Sequence, residues 1–168
     1  VRERTKPFNE QSRLLPETAA RGRAVFMKAT KEPEQCRQLA EEVVAAAYET
    51  PEGEMIPGEM RCQAGKTSFT INWQGKMHPC VMLTKPEAEV FEVGFDAAWQ
   101  QLREGIAQIR LSSKCSACTY RRVCQTCAAC ALYEAGAYDE VPEYMCRYTK
   151  AFVKEMEQVI EDGKKSKK

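Results

Sequence analysis

The stretch CSACTYRRVCQTCAAC, residues 115–130, places five cysteines in sixteen positions. Two thiolates at C-x2-C spacing can hold one metal centre, because the turn between them aims both sulfurs the same way. A ligand a few residues on and another from a distant segment complete a four-sulfur shell. Such a shell suits tetrahedral zinc or an iron–sulfur cluster, and ligand softness alone does not separate the two. Working outward, Cys62 is followed after twelve residues by Gly75, then by x4 to Cys80, and Cys146 lies beyond the crowded stretch. Cys36 stands apart, upstream of all of these.

The rest of the chain does not depend on cysteines for a core. Of its 168 residues, 43% are hydrophobic, enough to bury an apolar interior. Twenty-five basic residues face 24 acidic ones, so charge gives no case for nucleic acid or a membrane surface as a partner. Lys164, Lys165, Lys167 and Lys168 read as a solvated tail. Arg2, Arg4 and Lys6 are followed by polar residues, unlike a secretory leader, and no apolar run approaches the roughly 20 residues that span a bilayer. A cytoplasmic chain is expected. Nine crowded cysteines there point to metal or redox chemistry more than to structural disulfides.

Hydrophobic spacing predicts the elements around the cysteines. Residues 1–15 form an irregular lead-in. A helix starts at Pro16, with Ala20, Ala24 and Met27 on one face, and a second at Pro33, with Cys36, Leu39, Val43, Ala46 and Ala47 on one side. Thr50-Pro51-Glu52-Gly53 and Pro57-Gly58 end it. Phe69, Ile71 and Trp73 alternate with polar residues, Gln74-Gly75 turns the chain, and Met77–Leu83 returns: a β-hairpin whose Gly75 supplies the positive φ that brings Cys80 back towards Cys62. Residues 84–94 read as a loop. Phe95–Arg110 is an amphipathic helix burying Phe95, Ala98, Trp99, Leu102, Ile106 and Ile109. A short helix ends on the glycine cap Gly136, and Arg147–Glu161 carries Phe152, Met156 and Ile160 at helical spacing.

The order C-x(n)-G-x4-C, gap, C-x2-C-x5-C-x2-C, gap, C resembles the SPASM domain, the C-terminal auxiliary-cluster domain of radical S-adenosylmethionine (radical SAM) enzymes. The words around the cysteines agree: CQAGKTSFTINWQGKMHPC, CSACTYRRVCQTCAACALYEAG and VPEYMC. The likeness covers about residues 60–150, and RLLPETAA is similar to the connection leaving the catalytic barrel. The resemblance implies an α+β fold: a small cysteine-rich SPASM-type domain with a β-hairpin and flanking helices around two metal-cluster sites, preceded by a helical segment. In those terms residues 1–60 are a helical segment and linker from the end of the barrel, 61–150 the auxiliary-cluster domain, and 151–168 a C-terminal helix and basic tail.

Carried over by position, the family arrangement implies two auxiliary [4Fe-4S] clusters. Cys62, Cys80 and Cys127 would hold the first; Cys115, Cys118, Cys124 and Cys146 the second. The x3 spacing common after the Cys124 position would fall on Ala128, and here Cys127 takes that place at x2. Cys130 is left as a fourth ligand of the first cluster, a substitute for Cys127, or a bystander. Cys36 reads as a small buried hydrophobe. Phe69, Asn72 and Trp73 read as packing and turn residues. His78, two residues before Cys80, reads as an exposed strand residue or as a hydrogen-bond donor near cluster sulfur. Lys114, Arg121, Arg122 and Arg147 neighbour the ligands, where cations would raise a cluster's reduction potential.

The C-x3-C-x2-C motif that binds the S-adenosylmethionine cluster in this family is absent from the chain, as is the periodicity of a βα barrel. S-adenosylmethionine and a third [4Fe-4S] cluster are therefore expected only in a longer parent enzyme. The barrel would be a partner in the same chain, and a peptide or protein would be the substrate. The chain alone should not be catalytic; its role would be electron transfer, peptide binding, or both. A zinc-stabilised interaction module without redox chemistry is the alternative.

Overall fold

The computed structural model describes residues 13–49 and 58–165. The expected helix stop at 50–53, Pro57, most of the lead-in and the last three residues of the basic tail lie outside the described residues.

Two helices open the described chain, α1 (Pro16–Thr30) and α2 (Pro33–Tyr48), each with proline in its first turn, where a missing N–H costs nothing. Both bury alanine: Ala20 and Ala24 on α1, Ala40 and Ala47 on α2. Small side chains let a third helix approach closely. That helix is α7 (Glu143–Lys165), which packs against both and buries Phe152, Val153, Met156 and Val159. Ala20, Ala24, Cys36, Ala40, Phe152, Met156 and Val159 form one core. Each large side chain there contributes about 1.5–3 kcal/mol by leaving water. Arg147 donates from Nε and Nη2 to the Glu17 carboxylate at 2.9 and 3.0 Å, a fork that fixes the start of α7 against α1.

Between α2 and α7 every element but one helix is short. Three antiparallel strands, β1 (Thr70–Ile71), β2 (Lys76–His78) and β3 (Ala88–Glu89), lie in the order β1-β2-β3, with Thr70 opposite His78 and Met77 opposite Ala88. The β1–β2 turn is built by Asn72, whose Oδ1 accepts the N–H groups of Gln74 and Lys76 at 2.9 and 3.0 Å. Gly75 follows at φ +80°, and a Cβ there would meet the Phe91 ring at 2.3 Å. A short turn of helix, α3 (Val90–Val93), leads into α4 (Phe95–Gln108). Met77, Ala88, Ala98 and Leu102 close a second core between sheet and helix.

Three expectations are corrected here. The segment 84–94 is not all loop: it contains β3 and α3. A two-residue strand has no readable period, and Ala88 belongs to it because a small side chain must cover the fully buried Met77. Trp73, expected to continue the strand alternation of Phe69 and Ile71, is 82% exposed because the strand ends at Ile71 and Trp73 lies in the turn. Phe95, expected on the buried face of its helix, is half exposed and meets Phe69 edge-on at 5.4 Å.

The fold is α+β, mainly helical with one small antiparallel sheet. Among the described residues no helix is long and apolar enough to cross a membrane.

Candidate metal centre

The cysteine-rich segment is carried by α5 (Ser113–Ser116), a 3-10 turn (Thr119–Arg122) and α6 (Ala128–Ala135), which ends at Gly136 in the left-handed region, φ +91°. Elements this short bury few apolar faces of their own. Their support is the cluster Met60, Leu83, Ile106, Ile109, Leu111 and Ala128, against which Cys80 and Cys127 pack from the edge. Ser116 Oγ accepts the Gly58 N–H at 2.8 Å, and the Arg61 guanidinium donates to the Arg121 carbonyl at 2.8 Å, so the segment before the hairpin is tied to the cysteine stretch.

All nine cysteines are free thiols, and every one except Cys36 is at least partly exposed. Cys36 is buried as expected, 4% exposed, its S–H donating to the Met27 carbonyl at 3.3 Å.

Cys115, Cys118, Cys124 and Cys146 stand within electrostatic reach of one another. Burial raises the Cys115 thiol above its ordinary pKa, Cys124 and Cys118 raise it further, and the Arg121 guanidinium opposes them. Burial likewise raises Cys146, helped by Cys115, Cys124 and Cys118 and opposed by Lys150. Three thiols from one short stretch therefore lie near enough to Cys146, in the first turn of α7, for their charges to act on it across a sequence gap.

The other set is arranged differently. Cys62, Cys124 and Cys127 line one cleft of about 300 Å³ with Arg121 and Arg122. Cys80 takes the Leu83 N–H on its sulfur at 3.3 Å and shares the apolar cluster with Cys127. Cys127 occupies the N-cap position of α6 and shares a hydrogen bond with Cys130, Sγ to Sγ 3.7 Å. The bond from Cys130, with the N–H groups of Cys130 and Ala129, lowers the Cys127 thiol to about 6 despite its burial, and Cys130 is raised in consequence.

Among the described residues, no three thiol, imidazole or carboxylate groups converge on the position of a single ion. A cubane offers four separate irons to four thiolates, so its ligands stand farther apart than those of one ion. Four thiols near enough for their charges to act on Cys115 and Cys146, beside a cation, are a donor set whose chemistry fits such a group. The cation is Arg121: 5% exposed, with an Nε that finds no hydrogen-bond partner among the described residues. A buried guanidinium needs an anion beside it, and thiolates supply one.

The sequence offered no means of choosing among four cations. Arg147 is bound to Glu17 and Arg122 to Glu49, while Lys114 is exposed, which leaves Arg121 facing the sulfurs. Neither expectation for His78 holds. It is 7% exposed, and both ring nitrogens are engaged: Nδ1 lies 2.9 Å from the Thr84 carbonyl and Nε2 lies 3.1 Å from the Asn72 amide. One nitrogen is spent on the hairpin turn and the other on the segment that follows β2. The contact between Cys127 and Cys130 was also missed, although C-x2-C opening a helical run was its visible signal. No family model, curated protein or solved structure matches this chain.

Proposed function

We propose that the chain binds two auxiliary iron–sulfur clusters as the SPASM-type domain of a radical SAM peptide- or protein-modifying enzyme. The observation that carries this reading is that Cys146, from a different element, lies near enough to Cys115, Cys118 and Cys124 for their charges to raise its thiol, as Cys124 and Cys118 raise Cys115. These four would hold one [4Fe-4S] cluster; Cys62, Cys80 and Cys127 would hold the other, with Cys130 within reach of the same place. Bound there, the clusters would supply one-electron capacity.

The chain's own residues do the rest. The apolar cluster around Leu83 and Ala128 backs Cys80 and Cys127 on one side. The Leu83 N–H is already directed at the Cys80 sulfur, a hydrogen bond that favours the more electron-rich state of a thiolate site. Arg121 offsets the negative charge of the thiolates. The barrel that binds S-adenosylmethionine, and the peptide substrate, would belong to the parent enzyme.

One observation favours a second reading, a zinc-stabilised module without redox chemistry. The 3.7 Å between Cys127 and Cys130 is the spacing of two thiolates on one tetrahedral ion, about 3.8 Å for zinc–sulfur bonds of about 2.3 Å. Anaerobic reconstitution of the reduced chain with iron and sulfide separates the two. Two bound cubanes give about eight irons per chain and a broad absorbance near about 400 nm. Two zinc ions retained through purification, with no iron taken up, would establish the module instead.

A further inference from the structure

Cys127 and Cys130 are the one pair of sulfurs in hydrogen-bond contact among the described residues, and neither is closed off from solvent. Their placement follows from local structure. Cys127 occupies the N-cap of α6 in extended conformation, φ −130° and ψ 174°, and Cys130 lies in the first turn. The helix therefore carries the second sulfur back under the first. Cys127 also lines the open cleft beside Arg121 and Arg122, through which a small reagent can reach it.

We propose that Cys127 and Cys130 form a redox-active dithiol, whose closure into a disulfide removes Cys127 from the first cluster site. The oxidant is a low-molecular-weight disulfide of the oxidised glutathione class. The Cys127 thiolate attacks one of its sulfurs, forming a mixed disulfide and expelling one thiolate, which takes up a proton. Cys130 then loses its proton to solvent and attacks the Cys127 sulfur, expelling the second thiol. Two protein thiols lose two electrons and two protons, and the small disulfide becomes two thiols. A sulfur–sulfur contact of 3.7 Å needs only side-chain rotation and a small backbone adjustment to reach bonding distance. The effect on loading rests on the cluster reading above; the dithiol itself does not.

The test treats the reduced, metal-free chain with oxidised glutathione and locates the change by differential alkylation with fragmentation mass spectrometry. The expected product is lighter by two hydrogens, with residues 127 and 130 alone protected from alkylation. Cys130→Ser should stop at a glutathione adduct on Cys127, because no second thiol resolves it. On subsequent iron loading, the oxidised chain should take up about half the iron of the reduced chain. Nine alkylatable thiols after treatment, a bond between other cysteines, or a wild-type chain that stops at the adduct would overturn the dithiol. A correct disulfide with undiminished iron uptake would overturn its effect on the site. A reduced chain that takes up no iron would sink the cluster reading and leave the dithiol standing on its disulfide map.

Discussion

The helical layer of α1, α2 and α7 and the cysteine-rich segment 111–146 solve the same problem by different means. The layer buries Phe152, Met156 and Val159 against alanines, and long helices satisfy their own backbone. The segment has three short elements, partly exposed thiols, and a buried arginine whose Nε has no partner among the described residues. One region holds itself together by apolar burial. The other rests on an apolar cluster around Leu83 and Ala128 and carries its thiols and a buried cation at the edge of it.

This contrast can be broken most severely at Cys118. Cys118→Ala should halve the iron of the reconstituted chain, from about eight to about four, and loosen residues 111–146 while leaving the far-ultraviolet signal of the helices. A variant that binds the full iron complement would dismiss Cys118 as a ligand. Met156→Ala attacks the other side of the comparison. Truncating a fully buried side chain should cost about 2–5 kcal/mol in denaturant unfolding, by a similar amount with and without iron. If the loss disappeared on loading, the two regions would not be independently stabilised. The smallest effect is expected from Cys36→Ala, which forfeits one thiol–carbonyl hydrogen bond and a little packing, about 1 kcal/mol, with iron content unchanged.

How much of this was legible in the sequence follows the same division. The faces of α1 and α7 could be read from Ala20, Ala24, Phe152 and Met156 because long helices repeat their pattern several times. The cap at Gly136 followed from its position after a helical run, and Gly75 from its place in a hairpin. β3 escaped because two residues carry no period. Trp73 misled because alternation continues into the turn, where it no longer means burial. Within the cysteine stretch, the family resemblance implied which thiols could share a centre, but not that Arg121 is the buried cation or that Cys130 lies under Cys127. Those are facts of three-dimensional proximity between short elements, and no local pattern encodes them.

Amide hydrogen exchange on the reduced chain, before and after anaerobic loading with iron and sulfide, tests the central claim most directly. Loading should bring strong protection to residues 111–146 and leave α1, α2 and α7 as protected as they were. A cysteine-rich segment equally protected without metal would contradict the account, because the thiols would then line a region that folds on its own.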